Sequence, residues 1–232
     1  MTVIDFHSHI LPAIDDGSRD LETTEQLLRM SLDKGVGLMV ATPHFYATQD
    51  RVDDFLKRRK NALEKTLELP QERRPRILAG AEVAFFEGIS RTDRLPELTV
   101  QGSDILLLEM PFCPWERRTL EELEELSTEY RVILAHLERY LKIPGNKKLI
   151  DQALELPVYV QINAGSLLDW KRRGAILKMF KKGQAHLLGS DTHSLNRRPP
   201  NLDEGRMVLE KKLGRSVLDE IDRRGNELLG DL

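Results

Sequence analysis

An α/β barrel is the fold this sequence predicts, with seven parallel strands and helices between them. Two observations lead there. Short apolar runs alternate with longer amphipathic segments along the 232 residues. The histidines and acids that could do chemistry stand at or just past the ends of those apolar runs. In a parallel barrel such positions share one rim, because every strand delivers its C-terminal end to the same face.

The first strand, Val3 to His7, leads into Asp5-Phe6-His7-Ser8-His9. Residues two apart on a strand project from one face, so His7 and His9 can hold one metal ion. After the loop Asp15-Asp16-Gly17-Ser18, Asp20 and Glu22 open a helix with Leu21, Leu28 and Leu32 on one stripe, ending near Lys34-Gly35. The second strand, Leu38 to Thr42, runs into His44. Val52, Phe55, Leu56, Leu63 and Leu67 mark the second helix, stopped at Pro70. The third strand, Arg76 to Glu82, and the fourth, Asp104 to Glu109, each end in a glutamate. A helix with an acidic outer face, Thr119 to Tyr130, precedes the fifth strand, Arg131 to Ala135, which leads to His136. A helix over Lys147 to Leu156 comes next, then a strand from Val158 to Asn163 and a helix from Ala175 to Lys182. The seventh strand, Ala185 to Gly189, runs on to Asp191 and His193. Two helices, Asp203 to Leu213 and Val217 to Leu229, close the barrel.

Composition sets outer limits. The length suits one domain over residues 1–232. A net charge of −3, with 31% charged residues of mixed sign, argues against nucleic acid as a partner. Cys113 is the one cysteine, which rules out an intrachain disulfide framework. There is neither a signal-peptide pattern at the N-terminus nor an apolar run of membrane-spanning length. The expectation is a cytoplasmic protein with no membrane insertion.

Three ordered elements carry a family resemblance. They are Ile4-Asp5-Phe6-His7-Ser8-His9-Ile10 with Asp15-Asp16-Gly17, then Ala135-His136-Leu137-Glu138-Arg139-Tyr140, then Ser190-Asp191-Thr192-His193 with Arg198-Pro199-Pro200. The set resembles the bacterial metal-dependent tyrosine-protein phosphatases of the CpsB/CapC type, in the polymerase and histidinol phosphatase (PHP) superfamily. The resemblance spans nearly the whole chain. It implies a distorted seven-stranded (β/α)7 TIM-like barrel of the PHP fold, holding three divalent metal ions, manganese first and iron or zinc as alternatives. It further implies that His7, His9, Glu82 and Asp191 surround the first metal. Glu82 would bridge to a second, completed by Glu109 and His136, while Asp16, His44 and His193 hold the third. Arg139 and Arg198 match positions implicated in binding phosphate. The implied substrate is a tyrosine-phosphorylated protein, a bacterial autophosphorylating tyrosine kinase that controls capsule or exopolysaccharide synthesis, and relatives also assemble into homo-oligomers. Gly225-Asn226-Glu227 departs from the pattern, standing where relatives tend to show Asn-Pro.

The chemistry agrees with that implication. Imidazole and carboxylate donors without thiolates suit manganese, iron or zinc. Clustered cations bind a water and a phosphoryl oxygen together, so the nucleophile would be a metal-bound hydroxide. An aryl phosphate leaves as a phenolate of parent pKa about 10, which reduces the need for a general acid. His44 or Asp191 could assist that protonation. Arginine forks suit the remaining phosphoryl oxygens, with Arg197 the local competitor of Arg139 and Arg198.

Several residues have two readings. Met110-Pro111-Phe112-Cys113-Pro114-Trp115 and Phe45-Tyr46 either wall a substrate phenol or simply pack over the barrel mouth. A cysteine-dependent phosphatase would need an arginine six positions beyond Cys113; position 119 is Thr, so Cys113 is expected to be a buried or semi-exposed structural thiol. His186 lies inside a strand and is read as structural. Asp5 either orients a ligand or is an ordinary strand residue. Lys171-Arg172-Arg173 and Lys181-Lys182 are solvated helix faces, or a landing surface for an acidic or tyrosine-rich tail. A small-molecule phosphomonoesterase such as histidinol-phosphate phosphatase, and a non-catalytic metal-stabilised binding module, are the competing functions.

Overall fold

All strand pairing among the described residues is parallel. The computed structural model describes residues 1–230; Asp231 and Leu232, the end of the domain expected over 1–232, lie outside the described residues. The strands are β1 (Ile4–Ser8), β2 (Leu38–Ala41), β3 (His44–Phe45), β4 (Arg76–Ala79), β5 (Glu82–Ala84), β6 (Ile105–Glu109), β7 (Arg131–Leu134), β8 (Tyr159–Asn163) and β9 (Leu187–Gly189). They form a three-stranded sheet, β1-β2-β4, and a six-stranded sheet, β3-β5-β6-β7-β8-β9. A single parallel bridge from Ser8 to Thr192, just past β9, brings the far ends of the two sheets together. The result is a mixed α/β fold around a curled parallel half-barrel sheet.

Hydrogen bonding therefore gives nine segments where seven continuous strands are expected. The ladder breaks at Thr42-Pro43, because proline has no N–H to donate, and resumes at β3, a strand absent from the sequence-based expectation. The expected strand from Arg76 to Glu82 breaks at Gly80-Ala81 into β4 and β5. Each break lies immediately before a side chain of the rim, His44 or Glu82. His44 and Glu82 face each other across β3 and β5, with Glu82 Oε2 3.0 Å from His44 Nδ1.

The helices are α1 (Leu21–Asp33), α2 (Val52–Leu67), α3 (Arg117–Glu129), α4 (Asn146–Ala153), α5 (Trp170–Lys181), α6 (Leu202–Leu213) and α7 (Arg215–Leu229). Asp20 caps α1 by accepting the Thr23 N–H at 2.8 Å. Helix α5 starts five residues before the expected Ala175, because Asp169 caps it through the Lys171 N–H at 2.9 Å. Its apolar stripe begins only later, so periodicity alone misplaces the start. Helix α4 stops at Ala153, short of the expected Leu156. None of the described helices is long and apolar enough to cross a membrane.

Alternate strand residues fall into two apolar clusters. Ile4 and Phe6, Leu38 and Val40, and Ile105 and Leu107 pack with Leu228 and Leu229 of α7. Met39 and Ala41, Leu106 and Leu108, and Val132 and Leu134 join the larger cluster with the helices. Both strand faces are thus buried, which is why the strands read as continuous apolar runs. Asn226 fastens α7 to the chain start, donating to the Thr2 carbonyl at 2.9 Å.

Helix α6 sits directly on the turn after β8. A Cβ added at Gly205 would lie 2.7 Å from Ala164 Cβ and 3.0 Å from its carbonyl oxygen. Alanine's advantage in a helix is about 1 kcal/mol, but overpacking against backbone costs about 1–3 kcal/mol. Gly205→Ala is expected to lower stability in urea denaturation by about 1 kcal/mol, and an unchanged or raised midpoint would show that this contact can relax freely.

Candidate metal centre

The nine expected metal-binding side chains gather at one rim of the sheet, at or beside strand termini. His7 lies in β1, with His9 and Asp16 in the segment that follows it; His44 lies in β3, Glu82 opens β5 and Glu109 closes β6. His136 stands two residues beyond β7, and Asp191 and His193 follow β9. Seven of the nine are buried, while His44 is half-buried and Asp16 exposed. Their donor atoms form four groups, each with all atoms within 4.8 Å of one another: His9/Asp16/His44/His193, His7/Glu82/His136, His7/His9/Asp191 and His44/Glu82/Glu109. These groupings differ from the implied partition in four respects. His9 joins the Asp16 group as well as Asp191; His7 joins Glu82 and His136 as well as Asp191; Glu82 is not in the group of His7, His9 and Asp191; and Glu109 groups with His44 and Glu82, although His136 Nε2 is 3.4 Å from Glu109 Oε1.

Glu82 is the hub. Its Oε2 lies 3.1 Å from His7 Nε2, 3.3 Å from His9 Nε2 and 3.0 Å from His44 Nδ1, and its Oε1 lies 2.8 Å from His136 Nε2. Despite the close approach, Glu82 Oε2 and His44 Nδ1 are buried without a hydrogen bond, because the His44 contact is off axis. Asp16 Oδ1 stands 3.3 Å from His193 Nε2 and 3.5 Å from His44 Nε2.

Neighbouring side chains orient these candidate ligands, and among them Gln161 and Asn163 carried no expectation from the sequence. Gln161 Oε1 lies 3.1 Å from His7 Nδ1 and also accepts the His136 N–H at 2.8 Å. The Gln161 amide donates to Asn163 Oδ1 at 2.9 Å, and Asn163 donates to Asp191 at 2.6 Å. Asp15 Oδ2 takes His9 Nδ1 at 2.7 Å. The signal was two polar side chains, Gln161 and Asn163, alternating in an otherwise apolar strand. Asp5 serves the backbone, accepting the N–H groups of Ser190 at 2.8 Å and His7 at 3.3 Å. His136 and Asp191 adopt left-handed conformations, with φ of 35° and 54°. Such backbone is uncommon outside glycine and accumulates at functional sites.

These contacts make the donor set fit a divalent cation. With Nδ1 of His7 and of His9 each donating to an oxygen, both Nε2 atoms present lone pairs, and these atoms are only 3.0 Å apart. Lone pairs facing each other in a buried site require a proton or a cation between them. In the metal-free protein, protons fill that role. Burial pulls the His9 imidazole down, but Asp15 and Glu82 outweigh it and raise its pKa to about 10. Burial opposes the charge on His136 as well, and Glu109 and Glu82 raise it to about 9. Burial would push the Asp191 carboxyl up, yet His7, His9, Arg139 and Arg198 hold it well below the usual carboxylate range. His193 moves the other way, lowered to about 4 by burial and by the charges of His9 and Arg198.

Arg139 and Arg198 both pair with Asp191, and Arg198 Nη1 also lies 2.9 Å from His193 Nε2. Two aromatic rings flank the cluster. Phe112 stacks on His136 with centroids 5.8 Å apart, and Tyr46 stacks on His44 at 5.2 Å. Phe112 is 56% exposed, so it stands at the mouth. Cys113 is exposed, not the buried or semi-exposed thiol expected, because it rides on that same projecting loop. His186 lies away from the cluster, its ring nitrogens facing the Val160 N–H and the Gly183 carbonyl.

Strand-end imidazoles and carboxylates on a curled parallel sheet define a candidate metal centre on an α/β half-barrel. Residues 3–229 match the family model described as capsular polysaccharide synthesis, CpsB/CapC. The chain belongs to that family. It is 27% identical to the tyrosine-protein phosphatase CpsB of Streptococcus pneumoniae over 94% of both chains. It is 26% identical to the tyrosine-protein phosphatase YwqE of Bacillus subtilis, over 91% of this chain and 85% of that one. Among solved structures it superposes with a TM-score of 0.84 and 23% identity on one from work on YwqE and CpsB, described as metal-dependent tyrosine phosphatases, covering 99% of this chain and 96% of that one. A phosphotriesterase homology protein from Escherichia coli shares the fold more distantly, at a TM-score of 0.51 and 12% identity.

The raised pKa values carry a consequence for metal binding. A ligand imidazole must be deprotonated to coordinate, so binding displaces the protons of His9 and His136. At pH 8, below both values, metal uptake is expected to release about two protons and to weaken as pH falls. Calorimetry of manganese binding in buffers of different ionisation enthalpy reads this directly; a heat independent of buffer would contradict the proton-filled state.

Proposed function

We propose that this protein is a metal-dependent protein-tyrosine phosphatase. The observation that carries the reading is the convergence of nine metal-type donors, two arginines and two aromatic rings at one mouth. The names of its relatives point the same way. In our reading His7, His9, Asp16, His44, Glu82, Glu109, His136, Asp191 and His193 would hold three divalent ions, manganese or else iron or zinc, with Glu82 common to two of the donor groups. When bound, such ions activate a water and neutralise charge on the phosphoryl group.

The chain's own residues do the rest. Arg139 and Arg198 offer forked donors to the phosphoryl oxygens. Phe112 and Tyr46 hold the phenyl ring between them and keep bulk water from the mouth, which favours an aryl over an alkyl phosphate. His44 supports protonation of the departing phenolate, being the least buried imidazole of the cluster at 15% exposure. Asp191 is unsuited to give a proton near neutrality, since its neighbours keep it ionised.

We further read the nine strand segments as seven passages of a distorted PHP barrel, with the second and third passages each split, forming one domain over 1–232. The partner we propose is a tyrosine-phosphorylated protein, an autophosphorylating kinase of capsule or exopolysaccharide synthesis, met in the cytoplasm. Assembly into a homo-oligomer belongs to the same reading.

The test uses purified protein, stripped by chelation and repleted with manganese, acting on matched phosphotyrosine and phosphoserine peptides. Metal-restored hydrolysis of the phosphotyrosine peptide is expected, with His136→Ala folded but at least about 100-fold slower. Arg198→Ala is expected to keep its metal and raise KM about tenfold. Normal turnover by His136→Ala at saturating manganese would contradict the site, and loss of metal from Arg198→Ala would contradict the clamp.

A further inference from the structure

Beside the candidate metal centre lies a cavity of about 260 Å³ whose wall includes Arg139, Arg172, Arg197, Arg198, Asp169 and Asp191. Four guanidinium groups face two carboxylates there, an excess of two positive charges. Arg139 and Arg198 are both engaged with Asp191. The other two arginines do not touch Asp191. Arg172 forms an ion pair with Asp169, Nε to Oδ2 3.3 Å, but its Nε is buried without a hydrogen bond, and Asp169 Oδ1 accepts the Lys171 N–H at 2.9 Å. Arg197 is exposed, and its side chain forms no ion pair among the described residues.

The backbone presents both groups firmly. Ser194 Oγ accepts the N–H groups of Arg197 at 3.2 Å and Arg198 at 3.3 Å. The Arg198 carbonyl in turn accepts the His193 N–H at 2.9 Å and the Thr192 hydroxyl at 2.9 Å. The turn bearing Arg197 is thus tied to a ligand of the candidate centre. On the other wall, Arg172 sits in the first turn of α5. Its neighbours in the basic run are otherwise occupied: Arg173 donates to the carbonyls of Leu167 at 2.6 Å and Leu168 at 3.0 Å, and Lys171 lies over the Trp170 ring. One buried polar atom adds to the lining, Asn201 Oδ1, which also has no hydrogen-bond partner.

We propose that Arg172 and Arg197 form a second anion subsite, which receives the carboxylate of an Asp or Glu side chain flanking the phosphotyrosine of the substrate. The inference rests on the phosphatase reading and gives it a sequence preference. The phosphoryl group meets Arg139 and Arg198 at the inner end of the cavity, and an acidic neighbour on the same peptide meets the outer pair. Both outer arginines are solvent-accessible, so the effect is a modest one in KM.

Two phosphotyrosine peptides identical except for Asp or Asn beside the phosphotyrosine decide the matter, with manganese-replete full-length protein. Wild type is expected to favour the Asp peptide about fivefold in kcat/KM, carried by KM, and to lose that preference in about 0.5 M salt. In the double variant Arg172→Gln/Arg197→Gln the ratio of the two peptides is expected to fall to about one. Because the ratio is taken within each protein, a general loss of activity divides out. Equal rates for wild type on both peptides, a ratio untouched by salt, or the full ratio persisting in the double variant would each overturn the subsite. Failure of wild type to turn over either peptide would instead refute the phosphatase reading beneath it.

Discussion

A buried carboxylate surrounded by imidazoles is the constraint on which the rest of this structure depends. Glu82 is 1% exposed and lies within 3.3 Å of four histidine nitrogens. Burying charge without a matched counter-charge costs several kcal/mol per group. The cluster therefore favours cations, and where no metal is bound protons on His9 and His136 serve, since the facing carboxylates raise both imidazoles. The depressed Glu82 carboxyl is the other side of the same balance, with His7, His136 and His44 overcoming the effect of burial.

Much of the surrounding architecture serves to aim that cluster. The interruptions at Pro43 and Gly80 fall just before His44 and Glu82, which then pair in register across β3 and β5. Gln161 and Asn163 link His7, His136 and Asp191 in one hydrogen-bonded line, so three strand ends share one alignment. The left-handed backbone at His136 and Asp191 is held by its flanks, since the Ala135 N–H bonds the Leu108 carbonyl and the Asp191 N–H bonds the His7 carbonyl. Preorganisation of this kind places donors before any ion arrives.

How much of this could be read from residues alone depends on the range of the forces involved. Strand positions follow from apolar runs buried on both faces, so β1, β6, β7 and β8 fall where expected to within a residue or so. The convergence of His7, His44, Glu82, Glu109, His136, Asp191 and His193 follows from their common place at strand ends. Asp16 came only through family resemblance, because an exposed loop acid carries no periodic signal. The start of α5 was misplaced because its cap, Asp169, acts through one local bond that apolar spacing does not register. Gln161, Asn163 and the cavity position of Arg172 were illegible for a different reason: their roles exist only once distant strands and turns have met.

The most direct test of the central claim is the replacement of the hub itself by an isostere without charge. Bound manganese per protein, counted by elemental analysis after equilibrium dialysis, should fall by at least about one ion in Glu82→Gln while the helical circular dichroism is retained, because a neutral amide removes the buried charge around which four imidazole nitrogens gather. A variant that keeps the wild-type metal content would show that Glu82 is a structural acid and that the centre does not depend on it.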